Sequence, residues 1–147
     1  MRFQYPAELW HAGPNEVVVS FRDIPGCHTS GEDEIEALEE AQDALEEAIA
    51  GRINRGEDIP VPSLPQPSEH LVSVPTDMAA KSAFVLAFLI SGMTRVSLAK
   101  RLDTDVKSVR RMLDPRHGTA PSRIHKALRV LGSELVVEVR QLASVEV

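Results

Sequence analysis

Four prolines within eight residues, Pro60, Pro62, Pro65 and Pro67, constrain this chain more than any other feature. Each lacks a backbone N–H and holds φ near −65°, so the stretch fits neither a helix interior nor the middle of a sheet. It favours an extended polyproline conformation. The 147 residues therefore divide into two small units instead of building one large core. The spacing assigns residues 1–66 to a first domain, 67–75 to a linker and 76–147 to a second domain. Proline is tolerated at a sheet edge, so Asp58 to Pro62 is expected as an edge strand.

The two units carry opposite charge. Residues 1–66 hold four basic against 14 acidic residues, a balance of −10. Residues 67–147 hold 12 basic against eight acidic, a balance of +4. Between Ser91 and Leu131 ten basic residues face three aspartates, or +7. Such a split points to two surfaces with two partners, although charge asymmetry also serves solubility alone. Composition removes several classes. Aromatics make up only 4%, too few for base-stacking platforms. The single cysteine, Cys27, excludes an internal disulfide framework and a multi-cysteine metal site. No stretch approaches the roughly 18 apolar residues of a membrane span, and the N-terminus does not read as a signal peptide. A cytoplasmic protein with no membrane partner is expected.

In the first unit, Phe3 to Trp10 and the β-branched run Val17 to Phe21 read as two strands around the turn residues Gly13, Pro14 and Asn15. Cys27 to Thr29 is a short third strand. Asp33 with Glu36 has the spacing of a capping box and opens the clearest helix in the chain. Its apolar stripe is Ile35, Leu38, Ala41, Leu45, Ala48 and Ile49, and Gly51 is the expected stop. Leu71 to Val74 is one more extended segment. The second unit reads as four helices. The first is capped by Thr76 or Asp77 and buries Met78, Phe84, Val85, Phe88 and Leu89. The next two start after the caps Thr94 and Asp105, and the last begins at Pro121 or Ser122. A terminal strand is expected at Leu135–Val139. The fold class is α+β.

Thr94 to Leu113 is the most specific chemical signal. Leu98 and Leu102, then Val109 and Leu113, sit at the spacing by which two helices cross in a helix-turn-helix. Ala99 allows close approach and Asp103-Thr104 makes the turn. In such a motif the second helix enters the major groove. Val106, Lys107, Ser108, Arg110 and Arg111 then lie at its exposed start, and Arg and Lys suit guanine acceptors. Thr94, Arg95, Arg116 and His117 lie where phosphates would pass, completing the candidate DNA-binding set. The alternative is an ordinary helical hairpin with a solvated basic face. The five histidines show no metal-ligand spacing, and loop or surface roles suit them. Cys27 and His28 are adjacent in a strand and point to opposite faces, so they make no nucleophile–base pair. No cofactor, metal or catalytic site is expected.

Several segments follow one another along the chain: Tyr5-Pro6-Ala7, Val18-Val19-Ser20-Phe21, Asp23-Ile24-Pro25-Gly26-Cys27 and Thr29-x-Gly31. They continue with Glu36-Ala37-Leu38, Ala41, Ala44-Leu45 and Ile59-Pro60-x-Pro62-Ser63. Taken in that order, they resemble the HicB-type antitoxins. The second unit is similar to the branch that ends in a Cro/repressor-like helix-turn-helix. One departure is Asn15-Glu16-Val17, where the family has Gly-Gly and an aromatic. The resemblance implies a truncated RNase H-like N-terminal domain whose nuclease site is lost. The strands accordingly offer only Glu8 and Glu16, too few for a metal-dependent nuclease. It further implies a HicA-type toxin partner, an mRNA-cleaving ribonuclease that is small and basic, and repression of the chain's own operon. Electrostatics gives an independent reason, since an acidic surface attracts and masks an RNA-binding one. The expected toxin-binding residues are Glu36, Glu39, Glu40, Asp43, Glu46 and Glu47. Binding to double-stranded operator DNA is expected from a homodimer or higher oligomer. The rival reading is a stand-alone transcriptional regulator whose first domain senses a ligand or drives dimerisation.

Overall fold

The computed structural model describes residues 1–142. Four strands, β1 (Gln4–Gly13), β2 (Glu16–Ser20), β3 (His28–Gly31) and β4 (His70–Ser73), form one antiparallel sheet in the order β3-β2-β1-β4. Five helices accompany them among the described residues: α1 (Glu34–Arg55), α2 (Thr76–Ser91), α3 (Arg95–Arg101), α4 (Val106–Leu113) and α5 (Pro121–Val130). The α+β class expected from the sequence is the one observed.

The β1–β2 hairpin pairs Trp10 with Val18 and Gly13 with Glu16, and its register shifts between His11 and Gly13. The shift falls at the end of β1, just before the turn at Pro14 and Asn15. Alternation then sorts the side chains. Tyr5, Ala7, Val17 and Val19 point to one face and are buried beneath α1. Pro6, Glu8, Trp10, Val18 and Leu71 belong to the other face.

α1 begins as its sequence demands. The Asp33 carboxylate accepts the Glu36 N–H at 2.8 Å, and the Glu36 carboxylate accepts from the Glu32 N–H at 3.3 Å. The buried stripe is Ala37, Ala41, Leu45 and Ile49, a strict four-residue repeat, with Leu38 and Ala48 beside it. Ile35 is 73% exposed. At about 100° per residue it projects roughly 100° away from the centre of that stripe, and so it misses the sheet. Gly51 does not end the helix. Ile53 still packs on the core, and the left-handed Gly56 (φ 68°) closes the helix one turn later, donating to the Arg52 and Ile53 carbonyls.

The proline stretch is a strap held to the sheet by side chains, and Asp58 to Pro62 forms no strand. Prolines cannot donate to a ladder, so other groups take over. The Tyr5 hydroxyl donates to the Pro60 carbonyl. The Asp23 carboxylate accepts from the Ser63 N–H and hydroxyl at 2.8 and 2.7 Å. Arg22 donates to the Leu64 carbonyl and, through two nitrogens, to the Glu69 carboxylate. Ile59 is buried. The stretch 67–75, read as linker, contains β4, whose Val72 pairs with Tyr5. Val72 and Val74 join the first core, so this segment completes the sheet.

A second core holds Phe84 and Phe88 of α2, Leu98 and Ala99 of α3, Val109 and Met112 of α4, and Ile124, Ala127 and Leu128 of α5. α2 starts at Pro75 without a side-chain cap, and its last turn leaves Leu89 exposed, against expectation. Phe88 in that turn is still buried in the second core, whereas Leu89 projects about 100° further round the helix, on the side of Met78, where neither core reaches it. Met78, in the first turn of α2, belongs to the first core. One helix thus serves both cores.

The expected terminal strand is absent: Leu135 to Val139 forms no ladder, and Val136, Val137 and Val139 are exposed. A strand needs a neighbouring strand, and none of the described residues supplies one here. Leu135 alone packs on the second core. The last five residues of the segment 76–147 lie outside the described residues. No described helix is long and apolar enough by itself to cross a membrane.

Candidate functional site

Two charged surfaces stand out, one on each core. The first is the outer face of α1. Glu36, Glu40, Asp43 and Glu47 follow one another at four-, three- and four-residue steps, with Glu39 and Glu46 beside them. At 3.6 residues per turn all six fall within an arc of about 120°, directly opposite the buried alanine–leucine–isoleucine stripe. Five are exposed and Glu46 is half-buried. Among the described residues none of the six makes an ion pair; on α1 only Glu34, 3.7 Å from His11, and Arg55 do. A helix face this acidic and this unpaired repels itself, and a cationic partner would relieve that repulsion.

The second surface lies on α3, α4 and the loop after them. The two helices are joined by Leu102 to Asp105, with Asp103 in the left-handed region (φ 53°). Asp tolerates that conformation better than most residues, which makes the sharp turn possible without glycine. Both helices are capped. Thr94 Oγ1 accepts the Ser97 N–H at 3.0 Å, and the Asp105 carboxylate accepts the Ser108 N–H at 2.7 Å. That backbone hydrogen bond, with the Ser108 side chain, holds the Asp105 carboxyl below its usual range. Leu98, Ala99, Val109 and Met112 make the buried contact. Leu102 and Leu113 are only half-buried, so Met112 takes the place expected of Leu113.

Of the expected DNA-binding residues, Lys107, Arg110 and Arg111 share one exposed face of α4, at three- and four-residue spacing. Arg95 is exposed at the start of α3, and Arg116 and His117 are exposed in the loop after α4. Thr94 is occupied as a cap. Val106 is half-buried and packs on the second core, and Ser108 is half-buried, so both sit behind the cationic front. Among the described residues no carboxylate lies within ion-pairing distance of Arg95, Lys107, Arg110, Arg111 or Arg116.

Behind this surface sits a residue that sequence reasoning passed over. Lys81 is 4% exposed, and its ammonium donates to the Met112 carbonyl and Thr119 Oγ1 at 2.7 Å each, and to the Arg111 carbonyl at 3.4 Å. Burial pushes its pKa down to about 8, partly offset by the Asp114 carboxylate and reinforced by Arg123. The signal was present: 78, 81, 85 and 88 run down one helical face, and a lysine occupies the second position of an otherwise apolar stripe. The strap contacts of Tyr5, Arg22 and Asp23 had no such signal, since their partners lie 40 or more residues away.

Elsewhere the chemistry is sparse. Among the described residues no group of three or more His, Cys, Asp or Glu is placed to hold a metal ion. Cys27 is buried and burial raises its thiol pKa, which disfavours a nucleophilic thiolate. A polar cleft of about 190 Å³ lies between Glu8, Ser20, Arg22 and Glu69, but the Arg22–Glu69 pair already occupies its charged groups.

A family model described as the HicB_like antitoxin of bacterial toxin–antitoxin system matches residues 4–83. The chain belongs to the HicB-like antitoxins. The match runs from β1 through the strap and β4 into α2, ending two residues past Lys81. Similarity to individual proteins continues into the second core. The protein is 36% identical over 132 residues to "Antitoxin HicB" of Escherichia coli (strain K12), covering 90% of this chain and 96% of that one. It is 34% identical over 136 residues to "Antitoxin HicB 1" of Photorhabdus laumondii, covering 92% and 86%. It is 31% identical over 138 residues to "Antitoxin HicB" of Pseudomonas fluorescens (strain Pf0-1), covering 93% and 94%. HicB-like antitoxins are regulatory partners in toxin–antitoxin systems and not enzymes, in line with the sequence reading.

Proposed function

We propose that this HicB-like antitoxin neutralises a HicA-type, mRNA-cleaving ribonuclease through its first unit and represses its own operon through its second. The observation that carries this reading is the separation of unpaired charge. Six carboxylates cover the outside of α1 over the first core, while Lys107, Arg110 and Arg111 cover the outside of α4 over the second. An acidic helix face competes with RNA phosphate for a basic toxin and speeds the encounter. A capped pair of short helices whose second member presents cations is the arrangement by which a helix-turn-helix enters a major groove. Lys107 and Arg110 would meet base edges, and Arg95, Arg111 and Arg116 phosphates. The antitoxin would act in the cytoplasm, where the mRNA and the operon are.

Operators for such motifs usually have two half-sites about one helical turn apart, so two copies would bind together. The apolar, unpaired segment Leu135 to Val139 is suited to join them, since two copies would supply one another's missing strand.

Full-length variants test both halves. Glu39→Lys with Asp43→Lys should abolish growth rescue on toxin co-expression while leaving operator binding intact. Arg110→Ala should do the opposite, costing about 1–3 kcal/mol of specific DNA affinity. If Glu39→Lys with Asp43→Lys still rescues, the toxin does not use the outer face of α1. If Arg110→Ala binds the operator unchanged at fixed salt, α4 does not read DNA.

A further inference from the structure

α4 has eight residues, and only Val109 and Met112 of them are buried. A helix so short has little packing of its own to fix its direction, and its last carbonyls lack intrahelical partners. After it the chain turns through Asp114 to Gly118 without regular structure, held locally by Asp114, which accepts the Arg116 N–H. Whatever aims the cations of α4 must therefore act from outside α4.

Lys81 does so. Its three ammonium protons meet three acceptors: the Arg111 and Met112 carbonyls in the last turn of α4, and the Thr119 hydroxyl at the far end of the loop. The loop bearing Arg116 and His117 is thus pinned at both ends by one group. Lys81 also lies one turn from Met78, which belongs to the first core, and one turn before Val85 and Phe84. The reference point for α4 is therefore the helix shared by both cores.

Stability alone does not account for a lysine here. Burying an ammonium carries a desolvation cost, and a methionine or leucine would fill the same apolar stripe without it. What an apolar side chain lacks is direction. Three hydrogen bonds fix where the end of α4 lies and how it is rotated, and the positive charge suits a helix C-terminus. Asp114 and Arg123 are the charged groups whose fields reach this ammonium, one favouring the charge and one opposing it.

We propose that Lys81 is a positioning residue for DNA recognition, whose buried ammonium sets the angle at which Lys107 and Arg110 meet base edges. The proposal rests on the DNA-binding reading above. It separates aiming from attraction: Lys81 touches no phosphate, so its loss should harm sequence discrimination and spare the electrostatic component.

The test uses the full chain and two duplexes, one copying the DNA immediately upstream of its own gene and one a shuffled sequence of equal composition. Affinity for each is measured across a salt series for the wild type, Lys81→Met and Thr119→Val. Lys81→Met should lower the upstream-to-shuffled affinity ratio about tenfold, with shuffled-duplex affinity and its salt slope unchanged. Thr119→Val, which keeps side-chain shape and loses one acceptor, should lower the ratio about threefold. General unfolding would instead weaken both duplexes together. A ratio within about twofold of wild type in folded Lys81→Met overturns the proposal. Should Lys81→Met fail to fold, an unchanged ratio in Thr119→Val overturns it. A wild type with no preference for the upstream duplex refutes the DNA-binding reading itself, a result distinct from either.

Discussion

Gly31 is the point where the sheet and α1 come closest, and substitution there has a calculable consequence. Its φ is not in the left-handed region, so conformational freedom is not the reason for glycine. Space is. A Cβ built on Gly31 would sit 2.4 Å from the Ala37 nitrogen and 2.8 Å from both the Ala37 Cα and the Glu36 carbonyl carbon. All three are backbone atoms of the first turns of α1, so no side chain can rotate away. Restoring ordinary contact at about 3.4 Å requires the helix and β3 to separate by several tenths of an ångström to about 1 Å. Overpacking of that kind costs typically 1–3 kcal/mol, and rigid backbone on both sides places Gly31→Ala toward the upper end. Gly13→Ala is the matched control, because a Cβ there meets nothing closer than the Glu16 Cβ at 4.0 Å. Both changes restrict the unfolded chain equally, so their difference reports the clash. For a chain of this size the difference should appear as a Tm lowered by roughly 4–10 °C in Gly31→Ala relative to Gly13→Ala, at equal protein concentration. Equal melting of the two variants would refute the claim that contact with α1 selects glycine at position 31.

The remaining predictions concern Lys81 and the limits of the first unit. Lys81 has its folded-state pKa lowered to about 8 from 10.5, so between those values the unfolded chain binds more protons and stability should rise with pH, by up to about 3 kcal/mol. Tyr5, raised to about 12, and Cys27, also raised, act in the opposite sense. Both are retained in Lys81→Met, so subtracting its urea-unfolding free energies from those of wild type between pH 7.5 and 9.5 isolates the lysine; a flat difference would contradict the burial of its charge. Residues 1–66 without the rest should not fold, because they lack β4 and the core residues Val72 and Val74 and leave β1 as a bare edge. A chain of residues 1–83 should retain a cooperative unfolding transition, and cooperative unfolding of 1–66 would show that β4 is dispensable.

Much of the fold was legible because local chemistry and tertiary structure agree. The cap at Asp33, the β-branched run at Val17 to Val19 and the caps at Thr94 and Asp105 each act within a few residues, and each stands where the spacing placed it. Errors arose where distant groups decide. Gly51 costs a helix roughly 1 kcal/mol, a local stop signal that the packing of Ile53 overrides. Prolines around residue 60 mark an extended chain but not what it lies on. The strap follows from Tyr5, Arg22 and Asp23, whose bonds to it span 40 or more residues. Leu71 to Val74 reads as extended in either case, and only pairing with Tyr5 and Pro6 makes it a strand of the sheet.

The charged surfaces were legible for a different reason from the residue that organises one of them. Solvent-facing carboxylates on α1 and cations on α4 need no partner in the chain, so helical periodicity alone puts them outside. Lys81 carries the same kind of charge and lies inside, and the only local sign of it is its position in an otherwise apolar stripe of α2. The difference is made by the Arg111 and Met112 carbonyls and Thr119, 30 to 38 residues later, which together replace the water the ammonium loses. A buried cation is tolerated only where such acceptors converge, and they converge here because α4 ends against α2. The position of Lys81 in an apolar stripe is therefore a sequence-level sign that some later segment must end on that face of α2.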